Sequence, residues 1–176
     1  MTRDARLDSF VDLFEKWNRR INLSAAATRD EVEEHLEDCL HVVPALAGQA
    51  RVIDVGSGGG FPVVIAAICL PDSQFVSLEP IHKKHAFLRT AARELQLSNL
   101  DARAERVEDH ASADYDVAMS RATFDLADWF ATGKRLVHAG GLVIGFEAQA
   151  RADVPGERIA YEVRGKSRSL VLQRSI

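Results

Sequence analysis

The sequence predicts a doubly wound α/β fold, a mostly parallel sheet with helices on both faces, preceded by an N-terminal helical cap. Two observations carry this expectation. Short apolar runs alternate with longer segments of helical periodicity, the pattern of a parallel sheet built from strand-helix units. The first of these runs, Val52-Ile53-Asp54-Val55, feeds directly into the glycine-rich turn Asp54-Val-Gly-Ser-Gly-Gly-Gly-Phe-Pro62, with a buried helix after it. The chain has 176 residues, 47% apolar and 27% charged, which suits one folded domain and excludes disordered or collagen-like classes. The expected organisation is a single unit over residues 1–176, with a cap over 1–48 and an α/β core over 49–176.

In chain order, Leu7, Phe10, Val11, Phe14 and Trp17 recur at helical spacing between charged residues, so the chain opens with an amphipathic helix. Thr28 with Glu31 three residues on reads as a capping box for a second helix that ends near Gly48. Val52 to Val55 is a strand, Val63 to Leu70 a buried helix stopped by Pro71-Asp72, and Gln74 to Leu78 a second strand. A helix from Ile81 to Leu97 follows, then strands at Leu100 to Ala104 and Tyr115 to Met119. A further helix is predicted from Leu126 to Val137, broken by Gly140-Gly141 before a strand from Leu142 to Phe146. Ile159 to Val163 and Leu170 to Gln173 are expected to close the sheet as an antiparallel hairpin.

No apolar run reaches the ~18 residues of a membrane helix, and Met1-Thr-Arg-Asp-Ala-Arg6 is too polar for a signal peptide, so a cytoplasmic protein without a membrane partner is expected. Cys39 and Cys69 form no C-x-x-C pair and read as buried thiols. His82 and His85 share a metal-pair spacing but lack a third ligand, so no metal is expected. The net charge of −4 means that a nucleic-acid partner would need a local basic patch. Arg19-Arg20, His82-Lys83-Lys84-His85 with Arg89 and Arg93, and Arg164, Lys166 and Arg168 are the candidates, each of which alone reads as a solvated face.

The glycine turn carries the chemistry. In a doubly wound sheet the ligand lies beyond the carboxyl ends of the strands, and the turn after the first strand approaches it most closely. Gly56, Gly58 and Gly60 occupy that turn, free of side chains that would meet a nucleotide-like ligand. Phe61 stands where a dinucleotide fingerprint needs its third glycine, and no G-K-[ST] is present to hold a triphosphate. S-adenosylmethionine (SAM) needs no phosphate cradle. Glu79, at the end of the second strand, is placed to accept hydrogen bonds from ribose hydroxyls. The turn therefore points to SAM, with a purely structural glycine turn as the alternative. The lack of an Asn-Pro-Pro-Tyr or Asp-Pro-Pro-Tyr segment argues against adenine amino-group methylation, and neither cysteine is placed for attack on pyrimidine C5. A ring nitrogen such as guanine N7 carries a free lone pair and needs alignment, not a general base.

The segments Trp17-Asn18-x-x-x-Asn22-Leu23-Ser24, His35-x-x-Asp38, Asp54-Val-Gly-Ser-Gly-Gly-Gly-Phe-Pro62, Lys83-Lys84-x-x-Phe87-Leu88, Leu97-x-Asn99, Arg106-Val107-Glu108 and Ser120-Arg121-Ala122 occur in this order. In this the chain resembles the ribosomal RNA small subunit methyltransferase G family, also known as glucose-inhibited division protein B, over about Leu7 to Gln149. The resemblance implies a class I SAM-dependent methyltransferase with a Rossmann-like core, acting at N7 of a guanine in 16S ribosomal RNA or the small ribosomal subunit, and a monomer. It places Gly56 and Phe61 in the cofactor pocket, Glu79 on the ribose, Val107 and Glu108 at the adenine, and Arg121 facing the methyl donor or the target base as the catalytic residue. Three of these have a structural alternative: Phe61 as core, Glu108 as a helix N-terminal charge, Arg121 as an ion pair. His35 and Asp38, one helical turn apart, read as a tie between cap and core.

Two positions depart from the family pattern. Val63-Val64-Ile65 stands where the family carries a G-[IL]-P, and Phe146-Glu147-Ala148 where it carries L-K-G. If that lysine meets RNA phosphate, Glu147 would repel it by ~1 kcal/mol or more. The segment between Ala148 and Pro155 is also reduced. Other readings of the chain are a divergent methyltransferase on another RNA or a small heteroaromatic substrate, and a non-catalytic SAM- or RNA-binding module.

Overall fold

A computed structural model describes residues 4–149 and 151–176; residues 1–3, where the polar N-terminus was read, lie outside the described residues. Seven strands form one sheet in the order β3-β2-β1-β4-β5-β7-β6. β1 (Arg51–Val55), β2 (Gln74–Leu78), β3 (Leu100–Arg103), β4 (Tyr115–Ser120) and β5 (Val137–Glu147) run parallel. β6 (Glu157–Val163) and β7 (Lys166–Arg174) form the antiparallel hairpin, with β7 paired to β5. The chain winds outward from β1 to β3 and then in the other direction from β4, so the strand order reverses between β1 and β4. A crevice opens at the carboxyl ends of the strands at that point.

The sheet divides two apolar cores. On one face α1 (Ala5–Ile21), α2 (Arg29–Leu40), α4 (Val63–Cys69) and α5 (His82–Glu94) share a cluster that includes Phe10, Phe14, Leu36, Val64 and Phe87. On the other face α6 (Leu126–Gly133) sets Trp129 and Phe130 against Ile53, Val55 and Val143. Successive residues of β1 feed opposite sides, Val52 into the first cluster and Ile53 into the second, as the period of a strand requires. The cap helices are thus packed into the same core as α4 and α5.

Three of the recognised motifs are structural. Asn18 binds the loop after α1, its Oδ1 accepting from Ser24 N (2.9 Å) and its Nδ2 donating to Ala26 O (2.8 Å), while Trp17 packs against Phe87. The Thr28–Glu31 capping box is formed at the start of α2. Asn99 donates through Nδ2 to the carbonyls of Ala67, Leu70 and Ser73, fastening the end of α4 to β3.

Three helices end well short of expectation, and β5, β6 and β7 begin earlier than expected. The second helix stops at Leu40, and α3 (Val43–Leu46) carries the chain on, because Pro44 has no N–H to donate and its ring would clash with the carbonyl of Leu40 in an unbroken helix. The fifth helix ends at Glu94, three residues early, where Gln96 turns to φ 54°. The sixth ends at Gly133, since Val137 pairs with Tyr115 as the first residue of β5. Gly140-Gly141 therefore does not break a helix but lies inside β5, at a register shift. A Cβ on Gly141 would come within 2.9 Å of the His138 carbonyl, so the bulge excludes larger residues.

Candidate active site

The carboxyl ends of β1, β2 and β4 and the segment after β3 enclose a cavity of about 210 Å³. Its apolar walls are Val55, Leu78, Pro80, Val107 and Phe124; Glu105, Arg106, Glu108 and Thr123 add polar atoms. Gly56 forms its floor, and Gly56, Gly58 and Gly60 take φ values of 72°, 53° and 86°. A Cβ on Gly56 would lie 2.4 Å from the Thr123 side chain. Thr123 closes over the turn and donates from Oγ1 to the Gly56 carbonyl at 3.1 Å. The loop that carries Thr123 bends at Ala122, a non-glycine residue at φ 58°.

Glu79, almost wholly buried at the end of β2, is turned toward the glycine turn. Its Oε2 accepts from Gly58 N and its Oε1 from Ile81 N, both at 2.9 Å. Each carboxylate oxygen can accept more than one hydrogen bond, so both retain capacity for a hydroxyl donor. Asp54, one step before the turn, is buried with neither carboxylate oxygen hydrogen-bonded among the described residues. Burial pushes its pKa up to about 7, and the nearby charge of Glu79 pushes in the same direction.

Of the residues expected at the cofactor, Gly56, Val107 and Glu108 line the cavity, Glu79 supports the turn that floors it, and Gly58 and Gly60 shape that turn. Phe61 does not line it. Its ring is buried 5.1 Å from both Phe10 and Phe14 and 5.8 Å from His35, so it is a core residue joining the turn to α1 and α2. Arg121 also points away from the cavity, into a tie between β4, α2 and β6. Its Nε donates to Asp38 Oδ2 (2.9 Å) and its Nη2 to His35 Nδ1 (3.0 Å), while the Tyr161 hydroxyl donates to Asp38 Oδ1 (2.8 Å). Burial, and next the Arg121 charge, hold His35 below the ordinary histidine pKa, which keeps Nδ1 an acceptor. The His35-x-x-Asp38 pair does join cap to core, and Arg121 is what it grips. Sequence reasoning missed Glu105, Pro80, Thr123 and Phe124. Their signal was positional, since each lies two to four residues beyond the carboxyl end of a strand.

Glu147 corrects a further expectation. It is buried, not presented to a phosphate. Its Oε1 accepts from Arg151 N (2.8 Å) and Arg158 Nη2 (3.2 Å), and its Oε2 from Ser169 Oγ (2.9 Å) and Arg158 Nε (3.0 Å). A carboxylate paired in this way has no open face with which to repel RNA. Arg164 and Lys166, proposed as part of a basic patch, are also engaged: Arg164 with Glu37 and Asp30, Lys166 with Glu34, so that they hold the hairpin tip to α2. Among the described residues no group of three or more His, Cys, Asp or Glu could hold a metal ion, and no helix is long and apolar enough to cross a membrane.

Comparison with known proteins supplies a family. The family model described as rRNA small subunit methyltransferase G matches residues 3–173. Ribosomal RNA small subunit methyltransferase G of Neisseria gonorrhoeae (strain NCCP11945) is 42% identical over 141 residues, covering 80% of this chain and 68% of the relative. The protein of the same name from Geobacter sp. (strain M21) is 34% identical over 151 residues, covering 84% and 70%. Among solved structures, the O-methyltransferase TomG from Streptomyces achromogenes in complex with SAM superimposes with a TM-score of 0.65 at 15% identity, covering 99% of this chain and 92% of that one. A putative O-methyltransferase from Klebsiella pneumoniae gives 0.66 at 15% identity, covering 100% and 92%. At such identities these two show the fold alone. The family match, together with a glycine turn and cavity at the switch point of a class I methyltransferase sheet, identifies the chain as a SAM-dependent methyltransferase that belongs to the rRNA small subunit methyltransferase G family.

Proposed function

We propose that the chain methylates N7 of a guanine in 16S ribosomal RNA within the small subunit, using SAM. The observation that carries this reading is the cavity itself, which suits the nucleoside of SAM. Gly56 of the glycine turn forms its floor, apolar residues flank it, and a buried acid stands at the end of the second strand. Gly56, Gly58 and Gly60 would let the cofactor approach the backbone, Glu79 would accept from its ribose hydroxyls, and Val107 and Glu108 would border its adenine. When bound, SAM supplies an electrophilic methyl group on a sulfonium. The chain's part is alignment and exclusion of water, because guanine N7 attacks through a lone pair that is free at neutral pH. Arg121 is then a positioning residue. It keeps α2 and the hairpin docked at the carboxyl end of β4, next to the turn, and Phe61 does the same for α1.

Arg19, Arg20, Lys83 and Arg89 are exposed and are among the cations available to RNA phosphates, whereas Arg164 and Lys166 are engaged in the hairpin clamp. Incubation with labelled SAM and small subunits, bare 16S RNA or small-molecule extracts tests the proposal. Label in guanine N7 supports it. Label in a small molecule, or cofactor binding with no transfer to RNA, overturns it.

A further inference from the structure

Beside the cavity, Glu105, His110 and Tyr115 form a hydrogen-bonded chain of three side chains. His110, its side chain 2% exposed, lies between Tyr115 and Glu105. Its Nε2 is 3.0 Å from the Tyr115 hydroxyl and its Nδ1 3.0 Å from Glu105 Oε1. Tyr115 is buried at the start of β4, so its hydroxyl has the His110 ring as its partner in place of water. A carboxylate oxygen can only accept, so Nδ1 carries a proton and donates it to Glu105; with that one ring proton, Nε2 accepts from the Tyr115 hydroxyl. The chain is therefore directional and ends on Glu105. Oε1 of Glu105 is engaged, while no hydrogen bond among the described residues reaches Oε2, and Glu105 lines the cavity together with Pro80, Val107 and Phe124.

A carboxylate fixed by buried partners, with one oxygen uncommitted in the wall of a mainly apolar cavity, is an acceptor built for an N–H donor. Resting on the reading of this cavity as the cofactor's nucleoside pocket, we infer that Glu105 selects the exocyclic amino group of adenine, with His110 and Tyr115 as its positioning residues. The selection is chemical. A 6-amino group donates to the carboxylate, whereas a 6-oxo group sets a second acceptor against it with no proton between them. Glu108 lines the same cavity but is exposed, and among the described residues no hydrogen bond holds its carboxylate in place.

Isothermal titration with S-adenosylhomocysteine and its 6-oxo counterpart S-inosylhomocysteine separates the possibilities without relying on turnover. The intact chain should bind the adenosyl compound about 10- to 100-fold more tightly, as expected for one hydrogen bond to a charged acceptor. Glu105→Ala should bring the two affinities to within about threefold of each other. His110→Phe keeps a ring in the space but removes both hydrogen bonds. It should lower the same ratio, which a general loss of stability leaves unmoved. A ratio in Glu105→Ala equal to that of the unaltered chain overturns the inference and leaves the cofactor reading intact. Collapse of the ratio in Glu108→Ala and not in Glu105→Ala overturns it by moving the contact to Glu108. An unaltered chain that binds neither nucleoside overturns both the inference and the cofactor reading.

Discussion

Replacing Arg121 by alanine should unfold the protein at a markedly lower temperature, and the magnitude can be worked from its partners. Arg121 is 19% exposed and Asp38 9% exposed by side chain, so the ion pair between them is largely desolvated. Removing one partner of a buried pair costs about 3–5 kcal/mol, because the other charge stays buried without compensation. Here the Tyr161 hydroxyl still donates to Asp38 and water reaches the rim of Arg121, which brings the expected cost to about 2–4 kcal/mol. For a domain of this size that corresponds to roughly 5–12 °C in Tm. Tyr161→Phe, which deletes one hydrogen bond and no charge, should cost about 1 kcal/mol. Arg121→Ala combined with Asp38→Ala should cost less than the sum of the two single changes, the signature of residues in contact. Thermal unfolding followed by circular dichroism, beside a methyl-transfer assay on small subunits, decides the matter. If Arg121→Ala melts within about 1 °C of the unaltered protein while transfer is lost, the tie is not structural and Arg121 belongs to the chemistry.

Glu79→Ala should weaken SAM binding by ~1.5–3 kcal/mol through lost ribose hydrogen bonds, and should also leave Gly58 N and Ile81 N without their acceptor; titration showing unchanged affinity would remove Glu79 from the site. Asp54 has a pKa raised by burial to about 7 in the fold, against ~3.9 when unfolded. The folded state thus holds the extra proton, and stability falls as pH rises between those values. Asp54→Asn should flatten that slope, with a gain over the parent that is larger in urea melts at pH 8 than at pH 5; parallel pH profiles would refute it. His35 behaves in the opposite sense: its pKa is lowered by burial and by Arg121, so the unfolded chain takes up the proton first and stability falls as pH drops below ~6.5. His35→Phe should remove that acid-side loss, and a melting profile from pH 7 to 5 that keeps its slope would count against the Arg121–His35 contact. Glu147→Lys, which introduces the family's residue, should lower Tm by placing a cation against Arg158 in a buried site, while Glu147→Gln lowers it less; a lysine variant as stable as the parent would mean that Glu147 is not held as described.

The fold was legible wherever one local signal and the tertiary requirement agreed. Gln74–Leu78 was read to the residue, and Val63 to Leu70 to within one, because a buried apolar run was bounded by Pro71 and by the glycine turn. The reading failed where a tertiary pairing overrode local pattern. Leu136 and Val137 continue the helical spacing of α6, yet the parallel partner Tyr115 draws Val137 into β5, and the glycines taken as a helix stop are there to let that strand bulge.

The site was legible in its backbone and obscure in its side chains, for a physical reason. A glycine turn at the switch point is specified by local geometry, and so it can be seen in the sequence. Which way a buried charge turns depends on partners that lie far along the chain. Arg121 finds Asp38 and His35 more than eighty positions earlier, and Tyr161 completes the tie from the hairpin. Glu147 shows the same principle from the other side. A change from the family's lysine to an acid reads as a reversed charge at an RNA surface only while the residue is imagined in isolation. With Arg158, Arg151 N and Ser169 around it, the acid becomes the pin of the loop after β5, and burial holds its charge where no phosphate can meet it. The acceptor side of the enzyme is therefore to be sought among exposed cations with no acid partner among the described residues, a set that includes Arg19 and Arg20 on α1 and Lys83 and Arg89 on α5 and leaves out Arg164 and Lys166.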